Sequence, residues 1–454
     1  MKNLHKIFIA ITLLIIGLNS YAQDKKNVIL ILIDDIGAEA VGCYGTDDYK
    51  TPNIDKLAET GIKFENAHST PICTPTRVKI MSGKYNSHNY EQFGYLPQHV
   101  KTFANAIKAE GYATAIAGKW QLSYTRDTED ALQDPYHFGF DEYCLWNIKQ
   151  KGLPRFKNAV LTKNGKSIPN DNIYGPDVIN GFVNDFVKKN KKKPFFVYYT
   201  MMLTHDPFQP VPGMAEYDTL KDLSLNDPKY FQSNVEYMDK MIGQIVKNLE
   251  KNKLRENTVI MLIGDNGTSS KVVTNWQGQQ IKGGKGKTIY HGTHVPFVAN
   301  CPGYVKPHVN ENLIDLTDFY PTLLDLTGAK MPDTELHGIS FHDQLLGKEP
   351  KEVRQFVFNS YFGKKTYPVK QYAFNTKYKY YSTGEFFNYK KDPKEKKKLD
   401  VTALSEKEKK QYDFLKATVD ELKKPGDFSN MKKKKKGGKG KGKGKGKGGK
   451  KHTK

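Results

Sequence analysis

Cysteine is scarce in this 454-residue chain. The four present, Cys43, Cys73, Cys144 and Cys301, are too few for a disulfide scaffold even in an oxidising compartment. Their spacing matches no zinc site. Cys43 and Cys301 lie near apolar runs and read as ordinary buried thiols. Long apolar runs are equally rare. Past the N-terminal stretch no segment is apolar enough to span a bilayer, which excludes a multi-spanning membrane protein. No internal repeat is present.

The first stretch, MKNLHKIFIAITLLIIGLNSYAQ, reads as a secretory leader over residues 1–22. Lys2 and Lys6 give a positive start, Ile7 to Leu18 a short apolar run, and Ser20-Tyr21-Ala22 an A-x-A-like cleavage site. An uncleaved anchor helix is the alternative, disfavoured by the shortness of the run. The expected mature protein is soluble and exported, periplasmic or secreted. Acidic residues number 49 against 71 Lys and Arg, for a formal charge of +22. Much of that excess is local. Without the thirteen lysines of the tail and the two of the leader, the body carries a formal excess of about +7. The tail, 431–454, contains KKKKKGGKGKGKGKGKGGKK, has nothing apolar to bury and is expected to be disordered. It is suited to polyanions (a sulfated or carboxylated glycan, nucleic acid, an anionic membrane), or else is simply solvated.

With 38% hydrophobic residues, the remainder can bury a large core. NVILILI is a continuous apolar run with polar flanks, the mark of a strand buried on both faces. YATAIAG, PFFVYYTMML and NTVIMLIG read likewise as strands. TPNIDKLAETG reads as a helix capped by Thr51, with Pro52 at its first position and Gly61 at its end. KTFANAIKAEG reads as a helix closed by Gly111, and a long helix covers YFQSNVEYMDKMIGQIVKNLEKN. The alternation implies an α/β fold, a large mostly parallel sheet sandwiched by helices, over 23–347. Beyond Gly347, VRQFVFNSYF, QYAFNTKYKYYS and GEFFNYK are short and aromatic-rich. With the amphipathic LSEKEKKQYDFLKATVDELKK they predict a smaller antiparallel sheet plus helix over 348–430.

In an open parallel sheet, ligands bind beyond the carboxyl ends of the strands. Four strand ends lead into Asp34-Asp35, Lys119-Trp120-Gln121, Thr204-His205-Asp206 and Asp265-Asn266-Gly267. Asp34, Asp35 and Asp265 in one crevice repel unless neutralised, and a hard divalent cation does so. Carboxylates with the Asn266 carbonyl form an all-oxygen set suited to calcium, and after it to magnesium. A helix cap or solvated turn is the plainer reading of either acidic pair alone. In PICTPTRVKI, Cys73 falls at or just before a helix N-terminus, where backbone N–H groups favour an anion, and Arg77 is one turn on. A nucleophilic thiolate and a structural cysteine are both open from these residues alone.

Cys73-Thr74-Pro75-Thr76-Arg77 resembles the C-x-P-x-R signature of the formylglycine-dependent sulfatases, in the alkaline-phosphatase-like superfamily. LIDDIG resembles that family's first metal motif, GKWQL its lysine motif and GDNG its second metal motif. KGKTIYHGTHVPFVANCPG and DLTDFYPTLLDLTG resemble its later segments, so that the likeness runs from Asn27 to Gly328. The resemblance implies oxidation of Cys73 to Cα-formylglycine by a formylglycine-generating or sulfatase-maturing enzyme, with Thr76 in place of the commoner serine. It further implies one calcium ion on Asp34, Asp35, Asp265 and Asn266. Arg77 would hold the formylglycine, Lys119 would contact both the diol and the sulfate, and His205 would protonate the leaving alcohol. Lys285 would clamp a sulfate oxygen, with Lys282 and Lys287 as rivals for that position. The implied activity is hydrolysis of sulfate esters, with a sulfated glycan as the expected substrate.

One position departs from the pattern. The family's G-K-W-H histidine is Gln121 here, which can hydrogen-bond the diol but cannot take a proton at neutral pH. His291 and His294 are candidates to substitute for it or to contact substrate; a structural role is the alternative. Tyr143, Trp146 and Trp276 could stack on sugars or simply pack. Two other functions fit the same residues: a phosphodiester or phosphonate ester hydrolase of the superfamily, and a polyanion-binding protein without catalysis.

Overall fold

The computed structural model describes residues 25–123, 134–146, 148, 152, 154–361 and 370–423. The expected leader and the lysine-glycine tail lie outside the described residues. No helix among the described residues is long and apolar enough to cross a membrane.

The strands in chain order are β1 (Asn27–Ile33), β2 (Ile62–His68), β3 (Ala113–Lys119), β4 (Glu142–Trp146), β5 (Leu161–Lys163), β6 (Lys166–Ser167), β7 (Phe195–Met201), β8 (Thr258–Gly264), β9 (Val273–Trp276), β10 (Gln279–Lys282), β11 (Phe297–Asn300) and β12 (His308–Asp315). Ten of them form one sheet in the order β12-β2-β11-β8-β1-β7-β3-β4-β5-β6, and β9 and β10 pair separately as a hairpin. The centre, β8-β1-β7-β3-β4, is parallel throughout. β11 enters antiparallel between β2 and β8, and β5 and β6 fold back antiparallel at the far edge.

Every residue of β1, β3, β7 and β8 is buried, as their unbroken apolar runs require. Alternate residues of β1 serve opposite faces. Ile29, Ile31 and Ile33 pack in the layer of helices Gly175–Lys189 and Phe231–Lys251. Val28, Leu30 and Leu32 pack in the layer of helices Cys73–Ser82, Phe103–Ala109 and Phe319–Thr327. Burying one such side chain fully contributes roughly 1.5–3 kcal/mol relative to exposure, so this strand is pinned from both sides.

The small sheet comprises β13 (Val357–Tyr361), β14 (Lys370–Phe374), β15 (Lys379–Tyr381) and β16 (Phe386–Phe387), antiparallel throughout. Leu415 and Val419 of the helix Glu406–Leu422 pack against it. Buried Lys79 joins this sheet to the large one. Its Nζ lies 2.8 Å from Asp315 Oδ2, 3.0 Å from the Phe358 carbonyl and 3.0 Å from Asn359 Oδ1. Asn359 Nδ2 also donates to the Ser69 carbonyl at 3.1 Å. The helix that begins at Cys73 is thereby anchored from the C-terminal side.

Three local expectations are corrected. The helix expected to stop at Gly61 ends with Glu59, capped by Thr60. Gly61 serves a close approach instead, since a Cβ there would sit 2.3 Å from the Ala299 carbonyl oxygen. The helix expected over KTFANAIKAEG covers only Phe103–Ala109, because Thr102 caps it through a reciprocal bond with Asn105. Cys43 is only half-buried, whereas Cys301 is buried as expected.

Candidate active site

β8, β1, β7 and β3 are neighbours and parallel, so their carboxyl ends form one row. The row delivers Asp265 and Asn266, Asp34 and Asp35, His205, and Lys119 with Gln121. Gly118 makes the β3 end possible. Its φ is +109°, and a Cβ would lie 1.8 Å from the Thr200 carbonyl oxygen on β7. Asp35 and Gln121 also hold left-handed backbone, at φ 63° and 51°, which turns each chain sharply off its strand.

The helix Cys73–Ser82 points its N-terminus at these strand ends, with Cys73 as its first residue. Cys73 Sγ and one carboxylate oxygen each from Asp34 and Asp265 lie within 4.8 Å of one another. Gln121 Oε1 is 3.9 Å from the sulfur. The Thr76 hydroxyl, where serine is commoner in the signature, donates to the Asp265 carbonyl at 2.7 Å and is 2.6 Å from the Thr70 hydroxyl. It therefore ties the cysteine turn to the end of β8.

The acids are interlocked. Asp35 N–H donates to Asp265 Oδ1 at 3.0 Å, and Asn266 Nδ2 donates to Asp35 Oδ1 at 2.9 Å. Lys119 Nζ bonds both oxygens of Asp34, at 2.9 and 2.8 Å. Arg77 donates to Asp265 Oδ2 at 3.0 Å and to the Lys119 carbonyl at 3.1 Å. Lys285 Nζ is paired with Asp35 and sits 3.0 Å from His205 Nε2. His205 Nδ1 in turn is 2.5 Å from the Asp206 backbone carbonyl and 3.0 Å from Asp206 Oδ1. An ammonium can only donate, so His205 Nε2 accepts from Lys285 and Nδ1 carries the proton toward Asp206.

These contacts set the ionisation. Burial alone would raise Asp34, yet Lys119, His205, Arg77 and Arg155 together hold it well below the usual carboxylate range. Burial and the neighbouring Asp34 charge push Asp265 upward, against the pull of Arg77 and Lys119. Burial and the Arg155 guanidinium push His205 down to about 4, against the pull of Asp35. The His205 hydrogen bond lowers Asp206 far below its ordinary value. Asp35 raises Lys285 despite burial.

The donor chemistry fits a hard cation. Asn266 Oδ1 is buried and has no hydrogen-bond partner, a cost that an oxygen-seeking ion removes. Asp34, Asp35 and His205 form a second group of ligand atoms within 4.8 Å of one another. Of the three candidate lysines, Lys285 is the one at the acids; Lys282 and Lys287 are exposed.

Two expected contacts are not brought here. His294 Nε2 bonds the Glu65 carbonyl at 2.8 Å, and its ring stacks on Tyr290 at 4.5 Å. His291 packs edge-on against Trp276 at 5.7 Å. Both belong to a buried aromatic cluster with Tyr290, His68 and Tyr44 rather than to the carboxylates, in keeping with the structural role left open by the sequence. Tyr143 packs on Tyr136, and Trp276 donates to the Tyr44 carbonyl. Two residues were missed by sequence reasoning. Asp206, which orients His205, was signalled by adjacency alone. Arg155 reaches Asp34 Oδ2 at 3.4 Å, against the ring of Trp146; it lies between β4 and β5, beyond the carboxyl end of a strand that the apolar runs did not disclose.

Against known proteins, the sulfatase family profile matches residues 26–329, and the profile of the N-sulphoglucosamine sulphohydrolase C-terminal region matches 287–424. Human arylsulfatase A is 28% identical over 370 residues, covering 74% of this chain and 71% of its own length. The N-acetylgalactosamine-6-O-sulfatase of Bacteroides thetaiotaomicron is 25% identical over 418 residues, covering 73% of this chain and 78% of its own. The crystal structure of Ps i-CgsB superposes with a TM-score of 0.74 at 26% identity, covering 88% of this chain and 93% of that one. The same protein in complex with k-i-k-neocarrahexaose gives 0.73, also at 26% identity and the same coverage.

Proposed function

The chain belongs to the sulfatase family and is a hydrolase of sulfuric esters; from that premise we propose that it is an exported enzyme acting on sulfated carbohydrate, with residue 73 as nucleophile and one calcium ion. The observation that carries the reading is the convergence of Cys73 with Asp34 and Asp265 at a helix N-terminus. The carbohydrate preference is supported by the galactosamine sulfatase and by the neocarrahexaose complex. The leader read over residues 1–22 supports export.

Asp34, Asp35, Asp265 and Asn266 would hold the calcium, which supplies positive charge opposite the sulfate oxygens and the nucleophile. Oxidation of Cys73 by a maturing enzyme and its oxidant gives an aldehyde whose hydrate supplies the attacking oxygen. The other residues have separable tasks. Arg77, fixed by Asp265 and the Lys119 carbonyl, holds residue 73 at the helix start. Lys119 and Lys285 bind sulfate oxygens in a buried setting where such contacts are strong. His205 takes up a proton at Nε2 once Lys285 turns to the sulfate and, as the imidazolium, gives it to the departing alcohol, with Asp206 supporting the charge from the Nδ1 side. Its low proton affinity in the free enzyme rises as the sulfate's negative charge enters beside it. Gln121 orients the diol by hydrogen bonding from beside residue 73.

Desulfation of a panel of defined sulfated oligosaccharides, run beside an aryl phosphate diester, tests the reading. It predicts sulfate release from members of the panel. Turnover confined to the diester would assign the site to phosphoryl chemistry.

A further inference from the structure

Arg155 is the fourth cation at the site. Its side chain is 9% exposed, with its guanidinium carbon 4.2 Å from the centroid of the Trp146 ring. Trp146 is itself locked, buried and donating from Nε1 to the Pro154 carbonyl at 3.0 Å. The guanidinium is thus held against a rigid aromatic platform, a setting from which arginine can read an oxyanion through paired N–H groups.

Its present partners leave it underused. The Nη1 contact to Asp34 Oδ2 is long, at 3.4 Å, while Lys119 already bonds both oxygens of that carboxylate. Nε is buried with no hydrogen-bond partner, which leaves a donor of the guanidinium open to pairing. Arg155 reaches Asp34, and one Asp34 oxygen and a His205 ring nitrogen lie within 4.8 Å of each other, so the guanidinium sits on the His205 side of the site. The scissile sulfate already has Lys119 and Lys285, so an additional buried cation on this side is surplus to one monoanion.

We propose that Arg155 is a specificity-determining residue that binds a second oxyanion, a carboxylate or a further sulfate, borne by the alcohol portion of the substrate next to the scissile ester. This rests on the sulfatase reading above. The enzyme then prefers esters of alcohols that are themselves anionic, such as acidic or multiply sulfated sugars. Trp146 is the positioning residue for the guanidinium.

Three probes separate the possibilities: phenyl sulfate, 2-carboxyphenyl sulfate and catechol disulfate. Binding is measured calorimetrically on the full chain with Cys73→Ser, which holds the ester without turnover, and kcat/KM on the matured enzyme. Wild-type Arg155 is expected to favour the two dianions over phenyl sulfate by tenfold or more in both readouts. Arg155→Ala is expected to abolish that ratio, and Arg155→Lys to retain part of it while guarding against loss of fold. The carboxylate and sulfate arms distinguish which oxyanion fits. Equal weakening of all three probes in Arg155→Ala, or no preference in the unsubstituted background, would overturn the proposal. Failure of the matured enzyme on every sulfate ester would instead defeat the sulfatase reading, with the calorimetric ratio still deciding the role of Arg155.

Discussion

The Lys285 ammonium donates to His205 Nε2 across 3.0 Å, while Asp206 holds the opposite ring nitrogen at 3.0 Å. The imidazole is therefore kept neutral in one tautomer, and in the proposed mechanism substrate draws the lysine onto a sulfate oxygen. A test follows from the leaving group. Replacing His205 by Ala should lower kcat/KM by about 10²–10⁴ on a sugar sulfate. On 4-nitrophenyl sulfate, whose phenolate leaves without a proton, the loss should be far smaller. Equal losses on both would remove His205 from the proton-donor role.

Under the proposed mechanism, Lys285→Ala removes a positive charge from the sulfate itself. The expected loss is about 10²–10³ in kcat, the usual cost of deleting one transition-state donor. It should fall on both leaving groups alike, which distinguishes it from the His205 variant in the same pair of assays.

The orphaned Asn266 oxygen and the interlocked acids predict a cation-dependent stability. Calcium at a hundredfold excess over its dissociation constant should add about 2.7 kcal/mol to unfolding, read as a rise in Tm that a chelator reverses. Asn266→Ala should shrink the rise. A Tm indifferent to calcium would leave the donor set without its ion.

Glu39 carries a stability switch outside the chemistry. Burial pushes its carboxyl up to about 7, with the Thr268 hydroxyl offsetting part of the rise. The folded protein thus holds a proton that the unfolded chain releases near its ordinary value of 4.5. Stability should fall as pH rises from about 4.5 through about 7 and then level off, a loss on the order of 3 kcal/mol. Urea melts at pH 5 and pH 8 should show a smaller difference in Glu39→Gln than in the parent; an unchanged difference would assign the slope elsewhere.

Lys79 links the helix of Cys73 to β12 and β13. Lys79→Met leaves Asp315 buried without its counter-ion and should destabilise by roughly 3–5 kcal/mol, measured by denaturant midpoint. A change within a few tenths of a kcal/mol would mean that the small sheet does not anchor that helix.

What could be read from the sequence follows the physics of burial. The runs of β1, β3, β7 and β8 are apolar throughout because both faces are covered, and their polar successors mark the site. β2, with burial on alternating positions, and β11, short and antiparallel, carry weaker patterns; their places depend on partners far along the chain. QYAFNTKYKYYS looks like one strand but holds two. Asn375 Oδ1 accepts from the backbone of Lys377 and Tyr378 and turns the chain between them. His291 and His294 stand close in sequence to Lys285, yet a short helix, Tyr290–Thr293, turns them into the aromatic cluster. Arg155 was hidden because its importance comes from Trp146 and Asp34, neither of them near it in any motif.

The most direct test is the mass of the proteolytic peptide containing residue 73, from protein made in its native host. Conversion of the CH₂SH side chain to an aldehyde predicts a peptide lighter by about 18 Da than the unmodified sequence. A peptide found wholly as the free thiol, in a preparation that still releases sulfate, would contradict the account of the nucleophile.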